Sequence, residues 1–337
     1  MTLDESTAAA PSDSRLISAL ALLLALLALA EASAWFMENT WIKRDGRFYV
    51  NVNSSIVEKL SLEQSGFADS WYTGKLGWNR NLDGGWSNIA LGSAGEHWPK
   101  HPWLMPVLST PLFLAFGLPG SLLFNLLLLV AAGLAAVLWL RRAPPLPAAL
   151  AVLSLLFATA VRDYSYDYLV DILLLALFLA SLAAVEHRKG LAAGIFFGLC
   201  LMLKPTAAIW APSLSLLALE AKADRRWWLQ AIAAGAGVLA FWAVANQLMF
   251  GRPWWTGYHR TLVVVAGQAT VLSHTDLFST PLATGLKRIW LGHWGLAHRY
   301  SFLLLALPGF IPLFRRRPLT AVASLWAFAA AQIVFAL

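Results

Sequence analysis

The stretch "GEHWPKHPWLMPVLSTPLFLAFGLPG", residues 95–120, decides how the chain is arranged. A Lys-His-Pro-Trp cluster stands directly before the apolar run 102–117, which carries Pro102, Pro106 and Pro111. Proline inside a helix removes a backbone hydrogen bond, and that loss is costly in a helix that crosses a bilayer. Whether this run crosses determines on which side of a membrane every later polar residue lies.

The composition predicts an all-α polytopic membrane protein. Hydrophobic residues make up 59% of the 337 residues and charged residues only 13%, whereas soluble domains carry about 25% charged residues. The 17 Trp residues suit the membrane–water boundary, where amphipathic rings are favoured. The net charge of +7 does not indicate a nucleic-acid partner, because the basic residues form short clusters between apolar runs.

Nine apolar segments predict transmembrane helices. They are 16–37, 119–140, 147–161, 168–186, 190–203, 206–221, 228–249, 300–314 and 319–337. Together they form one predicted transmembrane domain over 16–337. The segment 1–15 before it is small, polar and acidic, and we expect a disordered cytoplasmic tail there.

Basic clusters determine the topology of the run 102–117, because positive residues are retained on the cytoplasmic side. The clusters are Arg15, Arg141-Arg142, His187-Arg188-Lys189, Lys222 with Arg225 and Arg226, and Arg315-Arg316-Arg317. All of these clusters lie on the cytoplasmic side only if 102–117 does not cross the membrane. We therefore predict that 102–117 forms an amphipathic or re-entrant helix on the outer face. The outer loops are then 38–118, 162–167 and 250–299, and the two long ones are typical of functional surfaces.

The segment "GLAAGIFFG", residues 190–198, spaces Gly190, Gly194 and Gly198 one helical turn apart. Small residues at this spacing let membrane helices approach closely. We interpret the segment as scaffold.

Asp45, in "WIKRDGRFYV", follows the first predicted span on the outer side. A partly desolvated carboxylate there can take a proton from an incoming hydroxyl. Alternatively it is a solvated acid paired with Arg44 or Arg47. Glu31 lies inside the first span, where it either faces a cavity or reaches towards the outer boundary.

The stretch "RDYSYDYLVDILLL", residues 162–175, supplies three more acids, Asp163, Asp167 and Asp171, at four-residue spacing. They would share one face of a helix that began early. Such a cluster can bind a divalent cation, or one acid can act while the others orient it. Alternatively, Asp163 or Asp167 caps the helix N-terminus.

Cationic and aromatic residues are candidates for an anionic headgroup. Lys204, in "LMLKPTAAI", interrupts an apolar stretch at the outer end of a span, where a lipid phosphate would lie. The third loop offers Tyr258, His259 and Arg260 among tryptophans. His101 is a weak candidate metal ligand, because two histidines four residues apart do not make a metal site.

The order of these motifs resembles the GT-C superfamily of integral-membrane glycosyltransferases. The resemblance rests on "DGRFYV", "KHPWLMPVLSTPLFLAFG", "YDYLVDILLLALFLA", "GLAAGIFFGLCLMLKPTA" and "NQLMFGRPW", and runs over about 16–260. It is nearest to the aminoarabinose-transferase and protein-mannosyltransferase-like branch. It implies that the protein transfers a sugar, with inversion, from a polyprenyl-phosphate donor to an acceptor of the cell envelope. The transfer would take place at the periplasmic or lumenal face of a membrane, and we expect the bacterial inner membrane.

The resemblance also implies roles for individual residues. Asp45 is similar to the family's first-loop acid, which acts as general base or associates with a metal. Asp163 or Asp167 resembles the acid in the family's second loop. The pair His101-Pro102 resembles the family's His-Pro motif, and Lys204 resembles the lysine that contacts the lipid phosphate in the family. The expected catalytic residues are Asp45 and Asp163, the expected substrate-binding residues are Lys204, His101, Asp167, Tyr49, His259, Arg260 and Lys100, and the candidate ligands of a divalent cation are Asp45, Asp163 and His101.

The rival hypothesis is a non-catalytic membrane protein, either a lipid-binding scaffold or a transporter of lipid-linked intermediates. A transporter is expected to place ionisable residues near mid-membrane in two repeated halves. The charged residues here lie mostly at one surface, which favours the transferase. Many relatives continue beyond the apolar run "AAAQIVFAL" that ends this chain, so we expect a fragment or a minimal member.

Overall fold

The computed structural model describes residues 23–24, 27, 42, 45–64, 86–157, 159, 161, 164, 167–265, 268–273, 281–292 and 307–336. Within these ranges the chain is mostly helical. The predicted tail 1–15, most of the first span, Glu31, Arg44 and Asp163 lie outside the described residues.

Most of the helices lie in or close to predicted apolar segments, whereas Gly46–Lys59 and Leu282–Leu291 form helices inside the predicted loops 38–118 and 250–299. The helices are α1 (Gly46–Lys59), α2 (Leu104–Phe116), α3 (Leu118–Trp139), α4 (Pro145–Phe157), α5 (Val170–Glu186), α6 (Gly190–Leu203), α7 (Ala211–Glu220), α8 (Arg225–Phe250), α9 (Leu282–Leu291), α10 (Leu307–Arg316) and α11 (Pro318–Ala336). Short 3₁₀ helices occupy Pro205–Trp210 and Gly257–Arg260. The predicted segment 190–203 forms α6 with the same limits, whereas 206–221 divides into a 3₁₀ helix and α7.

Two of the helices in the described part of the chain, α3 and α8, are long and apolar enough to cross a membrane. The helices α2, α4 and α6 are apolar but shorter. The run 102–117 does form a helix, α2, which contains Pro111 and ends at Gly117. The nine spans and the outer-face position of α2 therefore stay predictions.

Glycines bring α6 and α8 into close contact. A Cβ atom on Gly194 would lie 2.0 Å from the carbonyl oxygen of Ala231, and one on Gly190 would lie 2.4 Å from that of Trp227. Contacts this short are impossible for a real side chain, so the helix axes can approach only because these positions lack Cβ. The interpretation of "GLAAGIFFG" as a packing motif is confirmed.

One end of the bundle collects basic residues around two glutamates. Arg142 after α3 pairs with Glu186 at the end of α5 (Nε–Oε1, 3.1 Å). Arg317 pairs with both Glu186 (3.7 Å) and Glu220 at the end of α7 (2.7 Å). The basic clusters that follow α3, α5, α7 and α10 in the chain thus lie at one end, as the charge pattern predicts.

A four-stranded sheet joins the first and third outer loops. Its strands are β1 (Trp86–Leu91), β2 (His97–Pro99), β3 (Thr261–Val265) and β4 (Gln268–Leu272), in the order β2-β1-β3-β4 with every pair antiparallel. The β-branched sequence "TLVVV" of β3 favours a strand. The all-α prediction is corrected here. The pairing of β1 with β3 also shows that the two long loops lie on the same side of the helices.

Candidate active site

Asp45 stands at the start of α1, held against the turn that precedes α5. Its neighbour Gly46 is buried, and a Cβ there would lie 2.9 Å from the carbonyl oxygen of Tyr168 and 3.0 Å from Oδ1 of Asp167. Any larger residue would push this turn away. The Asp45 side chain is exposed and makes no capping hydrogen bond, so its carboxylate is available at the surface of the site.

Buried polar side chains lock α1 to α2 and to the same turn. The Tyr168 hydroxyl donates to Oδ1 of Asn53 (2.8 Å) and is hydrogen-bonded to Oγ of Ser109. The amide Nδ2 of Asn53 donates to the carbonyl oxygen of Pro106 (2.7 Å). Tyr168, Asn53 and Ser109 are all fully buried. This network sets the position of α1, and hence of Asp45, relative to α5.

The cluster that follows β2 contacts the third loop. Nδ1 of His101 lies 2.9 Å from the hydroxyl of Tyr258, and the two rings meet edge to face with centroids 5.5 Å apart. His101 also packs against Phe48 and Tyr49 of α1. Nζ of Lys100 lies 5.7 Å from the centroid of the Tyr258 ring. The structure therefore unites Tyr49, Lys100 and His101, which the sequence selects, with Tyr258.

A second pair of charges lies where α5 begins and α6 ends. Nζ of Lys204 lies 2.5 Å from Oδ1 of Asp171, which is in the first turn of α5. Each side chain keeps 37% of its surface exposed. Solvent therefore reaches this ion pair, and so can a dissolved or membrane-bound anion.

Electrostatics show that the two groups of residues form one site. Burial raises the pKa of the Tyr258 hydroxyl, and the negative charges of Asp45 and Asp171 raise it further. Burial likewise raises the pKa of Tyr49, with additional contributions from Tyr258 and from the same two carboxylates. Burial lowers the pKa of Lys100, and the charge of Asp45 partly offsets that shift. Both tyrosines therefore stay protonated, and the Tyr258 hydroxyl shares a hydrogen bond with Nδ1 of His101.

A cleft that is open to solvent runs beside these residues. Lys100, His101 and Tyr258 line its polar rim, and the two residues that flank Lys204 in the chain also line it. Its remaining walls are mainly apolar and include Trp103, Met202, Leu203, Trp242, Met249 and Phe250. The cleft is thus amphipathic, with one lysine, Lys100, at its polar rim.

Several residues that the sequence selects lie elsewhere or have other partners. Nε of Arg260 donates to the carbonyl oxygen of Leu91 (2.6 Å) at the end of β1. Nδ1 of His259 accepts from the backbone N–H of Thr256 (3.1 Å) in a capping box. These contacts give both residues a role in holding the third loop.

Asp167 and Asp171 do not share a helical face. The helix α5 begins at Val170, so Asp167 lies in the preceding turn and does not cap the helix. It is buried, and its Oδ1 accepts from the backbone N–H of Tyr168 (2.9 Å). Asp163 lies outside the described residues. The expectation of one acidic face is therefore wrong for Asp167 and Asp171.

Among the residues that the structure describes, no group of three or more His, Cys, Asp or Glu side chains could hold a metal ion. Of the candidate ligands, His101 shares Nδ1 with Tyr258, and Asp45 stands at the start of α1. The divalent cation stays a prediction.

Sequence reasoning considered Asp171 and Tyr258 but did not place them among the expected site residues. Asp171 was grouped with Asp163 and Asp167 by spacing, which gives no sign of its pairing with Lys204, 33 residues later in the chain. Tyr258 was a headgroup candidate beside His259, and the structure places its hydroxyl next to His101.

No family model, curated protein or solved structure matches the chain.

Proposed function

We propose that this protein is an integral-membrane glycosyltransferase that moves a sugar from a polyprenyl-phosphate donor to a hydroxyl of a cell-envelope acceptor. The observation that carries the proposal is a cleft with mainly apolar walls and Lys100 at its polar rim, together with the exposed Asp45, whose negative charge acts on Lys100. An amphiphile with an anionic head and an apolar tail matches such a cleft.

The proposed topology is a single polytopic domain with a cytoplasmic N-terminus and a periplasmic active face, in a bacterial inner membrane. Two observations support it. The basic clusters around Glu186 and Glu220 lie at the end opposite the candidate site, which agrees with retention of positive charge in the cytoplasm. Along α8, large apolar side chains such as Ile232 (64% exposed) and Leu248 (74% exposed) are open to the surroundings, as lipid-facing residues are.

In the proposed reaction the acceptor hydroxyl attacks the anomeric carbon of the donor sugar. The bond between that carbon and the phosphate oxygen breaks, and the configuration at the carbon inverts. Asp45 accepts the proton of the acceptor hydroxyl, and the polyprenyl phosphate leaves with the bonding electrons. General-base assistance of this kind contributes about 10² to 10⁴ in rate.

The lysines stabilise the leaving group. Negative charge develops on the phosphate as the bond breaks. Lys100 lines the cleft, and Lys204, which is paired with Asp171, lies in the chain between two residues that line it. Fixed cations at a developing charge cost no reorganisation during the reaction. The hydroxyl of Tyr258, whose pKa is raised, stays protonated and can donate to an oxygen of the phosphate or sugar.

Transfer of label from radiolabelled polyprenyl-phosphate sugars to membrane acceptors tests the proposal. Wild type is compared with Asp45→Asn and with Glu58→Gln, an exposed acid about 20 Å further along α1. We expect transfer by wild type and Glu58→Gln and a loss of at least about 100-fold in Asp45→Asn. Equal transfer by all three would remove Asp45 as the base. No transfer from any donor would leave the scaffold or transporter hypothesis.

A further inference from the structure

Two arginines of the third loop stack on one tryptophan ring. Cζ of Arg252 lies 4.4 Å from the centroid of the Trp255 ring, and Cζ of Arg260 lies 5.4 Å from the same centroid. The two guanidinium groups are therefore no more than about 10 Å apart, close to one Debye length in 0.1 M salt, and they repel each other. No carboxylate in the described part of the chain forms an ion pair with either arginine. The described chain thus leaves both positive charges without neutralisation.

The protein holds this cluster from two sides. Nε of Arg260 donates to the carbonyl oxygen of Leu91 (2.6 Å), at the end of β1. The turn that carries Arg252 is fastened to α8, because the buried Asn246 donates from Nδ2 to the carbonyl oxygen of Pro253 (3.3 Å). A guanidinium group has five N–H donors, and most of those of both arginines have no partner among the described residues. The cluster is therefore prepared for an external acceptor.

An apolar surface adjoins the cluster. Trp254 is 67% exposed, and the side chains of Val244 and Leu248, one helical turn apart on α8, are exposed as well. Leu248 precedes Arg252 by four residues, so this apolar strip of α8 leads to the charged turn. Tryptophan is favoured at the membrane–water boundary. The third loop thus offers positively charged N–H donors next to an apolar strip.

We propose that Arg252, Trp255 and Arg260 form a binding site for the headgroup of an anionic phospholipid, whose acyl chains lie along the apolar strip of α8. The phosphate accepts hydrogen bonds from the guanidinium groups, and such bonds are strong because both partners are charged. A zwitterionic headgroup brings an ammonium group close to the same two cations. The site should therefore prefer phosphatidylglycerol to phosphatidylcholine. The inference rests on the membrane location that the proposed function includes, but not on sugar transfer.

Two considerations favour a lipid over a dissolved phosphate. Contacts between exposed charges are weak in water, so Arg252 alone would hold a free phosphate poorly. A lipid whose chains are already in the surrounding apolar phase has a high effective concentration at the site. Exposed apolar side chains such as Leu248 also contribute nothing to the binding of a dissolved ion.

Modification of arginines by phenylglyoxal, measured for each residue by peptide mass spectrometry, tests the inference on the purified full chain in a nonionic detergent. Dihexanoyl phosphatidylglycerol should slow the modification of Arg252 at least about threefold. Dihexanoyl phosphatidylcholine and glycerol phosphate, at the same concentration, should not. Equal modification of Arg252 with and without phosphatidylglycerol would overturn the inference. Equal protection by phosphatidylcholine or by glycerol phosphate would also contradict it, because the site would then bind any lipid or phosphate itself.

The variant Arg252→Gln gives a second test, with lipid binding to the full chain measured by native mass spectrometry. Its affinity for phosphatidylglycerol should fall about three- to tenfold, and its binding of phosphatidylcholine should not change. Arg226→Gln is the matched control, because it removes an exposed cation at the other end of the same helix. In this control, phosphatidylglycerol should protect Arg252 as in wild type. An equal loss of lipid binding in both variants would show a general attraction to positive charge and would overturn the inference.

The transfer assay separates this inference from the proposed function. Sugar transfer by a protein whose Arg252 is not protected by phosphatidylglycerol removes only the lipid site. Protection of Arg252 without transfer from any donor leaves the lipid site in a membrane protein that is not a transferase.

Discussion

The hydroxyl of Tyr258 lies 2.9 Å from Nδ1 of His101, which joins a residue of the third outer loop to the His-Pro motif of the first. The same tyrosine ring lies beside Lys100, and its hydroxyl feels the charges of Asp45 and Asp171. Tyr258 is therefore the point at which both halves of the candidate site meet.

Replacing Tyr258 by Phe removes this hydrogen bond and keeps the ring beside Lys100. We expect kcat/KM for sugar transfer to fall about five- to tenfold, the value of one hydrogen bond of roughly 1 kcal/mol. Steady-state kinetics with the radiolabelled donor measure the change. A melting temperature equal to that of wild type separates this effect from unfolding, and unchanged kinetics would exclude a role for the hydroxyl.

Replacing Tyr168 by Phe should destabilise the protein by about 1 to 3 kcal/mol, because the buried Oδ1 of Asn53 loses its donor. Thermal unfolding in detergent measures the loss. Ser109→Ala removes the other partner of the same hydroxyl. In a double-mutant cycle the two changes should not be additive, since both belong to one network. Strict additivity would contradict the network.

Replacing Gly194 by Ala should destabilise the protein, since the new Cβ would lie 2.0 Å from the carbonyl oxygen of Ala231 and α6 must move away from α8. We expect a loss of about 1 to 3 kcal/mol, as in overpacked cores. Gly237→Ala is the matched control. Its Cβ would meet nothing within 4 Å, and better helix propensity should leave stability equal or slightly higher. Equal effects of the two substitutions would contradict the packing of α6 on α8.

The amine of Lys100 should respond to Asp45. Burial lowers the pKa of Lys100 and the Asp45 carboxylate partly restores it, so Asp45→Asn should lower that pKa further. Competitive acetylation as a function of pH should then show Lys100 becoming reactive at a lower pH, whereas Glu58→Gln should leave its profile unchanged. The direction of the effect on stability follows from the lowered pKa. A lysine whose pKa is lower in the folded state destabilises that state while it is charged, because the folded state binds the proton less tightly. Stability should therefore rise with pH between its folded and its ordinary pKa.

The proposed topology predicts which positions a membrane-impermeant thiol reagent reaches. In a background with Cys200→Ala, a cysteine at Glu58 should be labelled from the outer side of intact cells. A cysteine at Lys222, in the turn after α7, should be labelled only after the membrane is opened. Labelling of both positions from one side would refute the topology.

The helices α3 to α8 were predictable because each coincides with an apolar run, and the basic residues mark the turns at one end. The Gly spacing of α6 was predictable for a similar reason, since residues four apart in the sequence lie on one face of a helix. The predicted segment 190–203 has the same limits as α6, so the local pattern of apolar residues was sufficient to predict where this helix begins and ends.

The sheet and the ion pair depend on contacts between distant parts of the chain. The strand β1 finds its partner β3 only after seven intervening α-helices, and six residues of mixed character such as "WSNIAL" do not indicate that partner. Lys204 looked like a free lipid-facing cation because its counter-ion Asp171 lies 33 residues earlier. The alternative that Asp167 caps α5 is wrong, because the chain turns for two further residues before that helix begins.

The pairing of β1 with β3 also imposes an order on synthesis. Arg260, which fastens the start of β3 to the last residue of β1, is made 169 residues after Leu91. At about 5 to 20 residues per second, the ribosome needs roughly 10 to 30 s to cover that distance. A nascent chain that has released α8 already holds Asp45, Lys100, Asp171 and Lys204, yet it still lacks Tyr258 and the strand that closes the sheet. The site is therefore assembled late, and a growing chain passes through biosynthesis with its acids and lysines in place but without the tyrosine that joins them.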